Sequence, residues 1–213
     1  QARVSKLAEE LVEANDLSDI VRVHHGAASS LEVDGCVDFI VSEWLGNFAL
    51  AEGMLKDVLE VRDRFLKPGG RMLPSFVDVM LAPVEDSVLY DEDGPGFWRE
   101  EIHGLDFSSL EKAELAQLRT ARMKVDDSTR LAKGESLVGI DIAQMKEGDQ
   151  FKQGLVNLEI TKDGVVNGFV GWFAARLSPH VLLDTGPGFP WTHWSQTYMP
   201  FPARPVSEGE TLV

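Results

Sequence analysis

Glu43 and Glu52, nine residues apart, are the side chains whose type and spacing could do chemistry together. Glu43 sits in Ser42-Glu43-Trp44-Leu45-Gly46, just past the carboxyl end of the apolar run Val37–Val41, and Glu52 follows beside Met54. Ligands of open α/β sheets bind outside the carboxyl ends of the strands, so the position of Glu43 is suggestive. A loop turning back from such a strand could face both carboxylates across one small pocket. Two like charges held face to face are costly unless a cation lies between them. Spacing alone leaves the plainer reading open, a solvated loop glutamate and a solvated helix glutamate.

The elements that must position this pair can be read from periodicity. Val4, Leu7, Ala8, Leu11 and Val12 recur at helical spacing, Asn15-Asp16 breaks the run, and Ile20–Val23 reads as a short strand. Val37–Val41 is the near-continuous apolar run of a parallel strand covered on both faces. Phe48 to Leu66 carries a helical stripe that includes Glu52 and stops at Lys67-Pro68-Gly69-Gly70, and Phe76–Val84 is another strand. Strand, helix and strand imply a right-handed parallel crossover, which sets residues 1–84 in an open α/β sheet. The chain is read as beginning inside a domain.

The pattern changes after Pro83. Acidic residues dominate up to Gly94-Pro95-Gly96, and Ser108 with Glu111 forms a candidate capping box ahead of a helix. From Leu137 the chain turns to strands: Leu137–Ile142, Leu155–Ile160, a Lys162-Asp163-Gly164 turn, Val165–Leu177 and Val181–Leu183. Residues 85–213 therefore read as a β-rich second domain.

Composition narrows the partners. Lys and Arg total 20 against 35 Asp and Glu, a net charge of −15 over 213 residues, which repels nucleic acid and anionic lipid and attracts cationic protein tails. No apolar run approaches the ~18 residues a membrane span needs, and the start has no signal pattern, so an intracellular protein of cytoplasm or nucleus is expected. Cys36, the single cysteine, reads as a buried inert thiol. His24-His25 would point to opposite faces of a strand and make no joint metal site. Gly94–Gly96 and Gly186–Gly188 read as turns.

The stretch Ser42-Glu43-Trp44-Leu45-Gly46-Asn47-Phe48-Ala49-Leu50-Ala51-Glu52-Gly53-Met54-Leu55 resembles the double-glutamate loop of protein arginine N-methyltransferases. Arg62 to Gly70 with Leu73-Pro74 is similar to the helix and turn that follow it in that family, and Thr192-His193-Trp194-Ser195-Gln196-Thr197 resembles its threonine-histidine-tryptophan loop. The resemblance, to a type I-like member, covers nearly the whole chain and is strongest at 36–84 and 167–199. It implies the C-terminal part of a class I S-adenosylmethionine-dependent, Rossmann-like sheet, then a barrel-like β domain. A helical dimerisation arm is implied at about 87–121, with Phe97, Trp98, Leu105 and Phe107 as its apolar contacts. Those four could equally anchor their own segment as a small satellite core.

By the same resemblance, Glu43 and Glu52 would clamp a substrate guanidinium, a planar fork of donors that stays protonated at ordinary pH. His193 would lie beside the pocket, Trp44 and Trp194 would contact substrate, and Ala28, Ser29 and Met54 would contact S-adenosylmethionine, whose product is S-adenosylhomocysteine. Arginine-rich or basic proteins such as histone tails and RNA-binding proteins are the implied substrates. A homodimer or a paired paralogue is the implied assembly, with no direct nucleic acid or membrane partner.

The chain also departs from the family's pattern. A glycine-rich turn after a first strand, and an acidic residue ending a second, have no counterpart here. The stretch Gly26-Ala27-Ala28-Ser29-Ser30 lacks the usual acidic adenine contact, Asn47 replaces a frequent aromatic, and Asp57 stands where a small uncharged residue is usual. The histidine's acidic partner on an N-terminal helix has no match. The 213 residues alone are thus expected to be incomplete and inactive. An active methyltransferase and a regulatory or scaffolding paralogue both fit the sequence, with the enzyme favoured because both glutamates are kept. A small-molecule methyltransferase would leave the clamp and the β-rich half unexplained.

Overall fold

The computed structural model describes residues 2–116, 121–149 and 155–213. Helix α1 (Ala2–Ala14) forms where the apolar spacing predicts it, but its stripe of Val4, Leu7 and Leu11 faces solvent. Ile20–Val23 is not a strand. A strand needs a neighbouring ladder, and among the described residues none pairs with this segment, which follows a turn closed by Ile20 and Val21 N–H groups donating to the Leu17 carbonyl. His25 does not sit on a strand either, and its Nε2 lies 2.7 Å from Glu9 Oε1.

Strand β1 (Val37–Val41) leads into helix α2 (Leu55–Phe65) and returns through β2 (Leu66–Leu73) as its parallel neighbour, with Val37 opposite Leu66 and Val41 opposite Leu73. The crossover expected from the sequence therefore exists, but it closes on β2. Lys67-Pro68-Gly69-Gly70 ends the helix and also lies within β2, a strand the sequence did not suggest. β1 is not covered on both faces either: Phe39 and Val41 are exposed, and so is Cys36 just before it, which overturns the buried-thiol reading.

Helix α2 starts seven residues later than the stripe suggested, and Glu52 is on a turn ahead of it. Phe48, Ala49 and Gly53 have φ of 57°, 58° and 67°, left-handed values that a right-handed helix cannot contain.

β3 (Phe76–Val84) forms with the predicted bounds, yet it joins an antiparallel sheet and not the parallel one. Helix α3 (Ser87–Asp91), a 3-10 turn at Pro95–Arg99 and helix α4 (Ser109–Leu115) follow. The capping box is not made. Ser108 is itself helical in φ and ψ and makes no side-chain cap, its N–H donates to Asp106, and Glu111 turns instead to Arg99 and Tyr90.

The remaining strands are β4 (Ala121–Met123), β5 (Glu135–Asp141), β6 (Leu158–Glu159), β7 (Gly164–Ser178), β8 (Val181–Asp184), β9 (Gln196–Val206) and β10 (Thr211–Leu212). β4, β9, β7, β3 and β5 lie in that order, with β8 also on β7. The strand read at Leu155–Ile160 shrinks to β6. It pairs with β10 rather than through Lys162–Gly164 with β7, because β7 already has β3 and β9 as its neighbours.

One apolar cluster fastens the parallel pair to this sheet. Trp44, Leu55, Leu59 and Met72 from the first part pack with Val77, Val79, Ile140 and Phe173 from the second. Burying one such side chain stabilises by roughly 1.5–3 kcal/mol. Arg62 of α2 adds a polar tie, its Nη1 donating to the carbonyls of Ile142 (2.6 Å) and Met145 (2.7 Å) just beyond β5. The loop carrying Glu43 and Glu52 is thus set on a rigid base. No helix among the described residues is long and apolar enough to cross a membrane.

Candidate functional site

The segment from Ser42 to Met54 leaves β1, turns through the Gly46–Ala49 bridge, and enters α2. Its shape is fixed from inside. The Glu43 carboxylate is exposed and accepts from the Leu45 N–H at 2.9 Å, which folds the side chain back over its own loop. Trp44, Leu45 and Ala49 are buried, so apolar residues between the two glutamates anchor the loop in the core while the glutamates stay in solvent. Trp44 is 1% exposed, a core residue holding the loop from below.

Glu52 is brought back over the start of the loop. A Cβ built on Gly46 would lie 2.7 Å from Glu52 Cγ and 2.9 Å from its backbone nitrogen. Gly46 therefore has to be glycine for Glu52 to approach, a role that residue type alone does not mark because it is close approach rather than chemistry. The left-handed φ of Phe48 and Ala49 makes that return possible. Non-glycine residues in this region each cost of order 1 kcal/mol and cluster at functional sites. Phe48 is held by Gly171 on β7, where a Cβ would come within 2.3 Å of its ring.

The second motif arrives from the far side of the chain. The indole N–H of Trp194 donates to the carbonyl of Leu45, and its ring packs edge-on against Phe173 with centroids 5.4 Å apart. Two motifs 149 residues apart in sequence thus meet through one hydrogen bond. His193 is exposed, its ring 4.0 Å from that of Trp194, and its carbonyl accepts from Arg122 Nη2 at 2.6 Å. Trp194 is half-buried and serves as the fastener between the loops, a role the sequence could not separate from that of a pocket wall.

Beside the end of β1 lies a cavity of about 410 Å³, lined by Gly26, Ala27, Ala28, Ile40, Val41, Ser42, Met54, Asp57, Val58 and Val61. It unites Ala28 and Met54 from the expected cofactor residues but not Ser29, whose carbonyl accepts from Arg64 Nη1 at 2.7 Å. Met54, at the start of α2, also borders a second cavity of about 280 Å³ with Trp44, Leu50 and Glu147, whose carboxylate pairs with Lys56 at 3.2 Å. Exposed carboxylates at Glu43 and Glu52, and a cavity lined mostly by apolar residues that includes Met54, are groups that can take a cation and a second, amphipathic ligand.

This division of labour, a parallel strand-helix-strand unit whose loop is pinned by a barrel-like antiparallel domain, defines a two-part α/β protein with a composite site. The family model for the arginine methyltransferase oligomerization subdomain matches residues 77–213, and the chain belongs to the arginine methyltransferase family. It is 33% identical over 216 residues to protein arginine N-methyltransferase 1.1 of Arabidopsis thaliana, covering 99% of this chain and 54% of that protein. It is 30% identical to protein arginine N-methyltransferase 1 of Saccharomyces cerevisiae, covering 98% and 61%. Among solved structures, the Trypanosoma brucei PRMT1 enzyme-prozyme heterotetrameric complex with AdoHcy superposes with a TM-score of 0.88 at 29% identity, over 98% of this chain and 66% of the other. Arabidopsis thaliana protein arginine methyltransferase 10, in an open conformation, gives 0.81 at 26%, over 97% and 68%. The chain spans between about half and three-fifths of these two curated relatives.

Proposed function

We propose that the protein containing this chain transfers a methyl group from S-adenosylmethionine to a guanidinium nitrogen of arginine in basic proteins. The observation that carries this reading is the hydrogen bond from Trp194 to Leu45, which sets His193 beside the loop that folds Glu52 back over Gly46. Glu43 and Glu52 accept from the guanidinium and hold it in one orientation. Their negative charge draws the positive charge of the substrate toward the carboxylates and away from the attacking nitrogen, so positioning and electrostatics lower the barrier together. His193 lies at the edge of the same loop. Ala28 and Met54 present the walls of the 410 Å³ cavity to the methyl donor, whose sulfonium carries the transferable methyl when bound. The solved relatives carrying AdoHcy or SAH support that choice of donor.

Assembly belongs to the same proposal. The segment 87–121 is read as a dimerisation arm, except residues 117–120, which lie outside the described residues. Trp98 and Phe107 are half-buried with ring centroids 6.3 Å apart, while Phe97 and Leu105 stay exposed and available to a partner.

A second reading, a subunit that supports an active paralogue, is favoured by Asp57, which puts an acidic residue in the cavity wall near Met54, and by the enzyme-prozyme pairing in the Trypanosoma brucei complex. One experiment separates the two. In the complete protein, Glu52→Gln removes charge without volume, and methylation of an arginine-rich peptide falls more than tenfold with an unchanged melting profile. Tenfold is only about 1.4 kcal/mol, a modest demand on a charge-assisted hydrogen bond. Activity within tenfold of wild type removes the clamp, and an inactive wild type supports the supporting-subunit reading.

A further inference from the structure

The connection between β8 and β9 carries more than His193 and Trp194. It is pinned along its length: Asp184 accepts from the Gly186 N–H at 2.8 Å, and the Phe189 N–H donates to the Gly186 carbonyl at 3.2 Å. Gly188 turns at φ +87° against Asp127, and Arg122 and Leu45 hold the far end through His193 and Trp194. A loop tied this firmly still leaves Phe189 and Trp191 55% and 49% exposed. The two flank Pro190, which restrains its own φ, so two open rings lie within three residues of one stiffened stretch. Trp191 is three residues from Trp194, whose indole holds Leu45 of the loop that bears the two exposed glutamates.

We propose that Phe189 and Trp191 form an aromatic shelf that receives a second arginine of the substrate chain while the first is held at Glu43 and Glu52. This rests on the methyltransferase reading and adds a determinant of substrate choice to it. Guanidinium groups are drawn to aromatic faces, indole above all. The chain's net charge of −15 attracts cationic segments to the molecule, and the exposed Glu43 and Glu52 draw them to this end of it. A substrate with arginines a few residues apart then engages both places at once, whereas a lone arginine engages only the carboxylates.

The test uses the complete protein and two fluorescein-labelled glycine-rich peptides, one with a single arginine and one with three, with binding read by anisotropy at fixed salt. Trp191→Ala weakens binding of the three-arginine peptide about fivefold, Phe189→Ala lowers it in the same direction, Trp191→Phe restores most of it, and the single-arginine peptide binds unchanged throughout. Equal loss for both peptides, or no loss for either, overturns the shelf. A drop in sedimentation mass in Trp191→Ala also overturns it, since the rings would then belong to an interface between copies. Peptide selectivity without methyl transfer leaves the shelf standing and removes the methyltransferase reading, while methyl transfer without selectivity does the reverse.

Discussion

Glu43, Glu52, His193 and Trp194 were legible in the sequence because each belongs to a motif whose residue types carry meaning. Leu45 and Gly46 were not, because one acts through a backbone carbonyl and the other through a missing Cβ. Arg122 escaped for a similar reason, since it holds His193 by the carbonyl. The role of Trp194 is the most informative at this scale. Replacing it with phenylalanine keeps the edge-on packing on Phe173 and removes only the donor to Leu45. The orphaned carbonyl costs about 1–3 kcal/mol of stability if it finds no water. The loosened loop lowers kcat by about tenfold, as small misplacements at a reacting centre do. Chemical denaturation and steady-state kinetics on Trp194→Phe in the complete protein check both numbers. Unchanged kcat with the expected stability loss would make Trp194 a structural residue alone.

Helix α1, strands β1, β3 and β5, and the long β7 were readable from periodicity, whereas β2 and β9 were not, Ile20–Val23 is no strand, and β3 has other neighbours than expected. β3 has the apolar pattern of a buried strand in either sheet, and only its partners β5 and β7 reveal that it is antiparallel. The helix stripe ran through the glutamate loop because Ala51, Met54 and Leu55 keep helical spacing, while the left-handed φ at Phe48 and Ala49 leaves no trace in residue type. Between α3 and β4, the expected capping box failed because Glu111 has stronger partners. Arg99 Nη2 lies 2.6 Å from its carboxylate, and burial pushes the Tyr90 phenol up to about 12, so it stays a neutral donor to the same group. That network, with Trp98 on Glu114, braces the segment from within and leaves Phe97 and Leu105 outward. Replacing both with serine should lower the sedimentation mass of the complete protein to that of one chain without altering its circular dichroism. A mass that stays put would mean that the arm only anchors itself.

Across the whole molecule, a net charge of −15 favours cationic over anionic partners. The apolar faces of α1 and β1 lie open among the described residues, a feature that periodicity alone assigned to a covered sheet. The core cluster explains why the site can be composite: it joins the parallel unit to the antiparallel sheet, so the carboxylate loop and the β8–β9 connection are packed on one core. The central claim is that Glu43 and Glu52 recognise the charge of a guanidinium. The most direct measurement is a double-mutant cycle by calorimetry on the complete protein, pairing Glu52→Gln with a peptide whose target arginine is replaced by neutral citrulline. A coupling of at least about 1.5 kcal/mol is the predicted result, because removing either charge should leave little for the other to lose. Additive effects, with each change costing the same whether or not the other is present, would contradict the clamp.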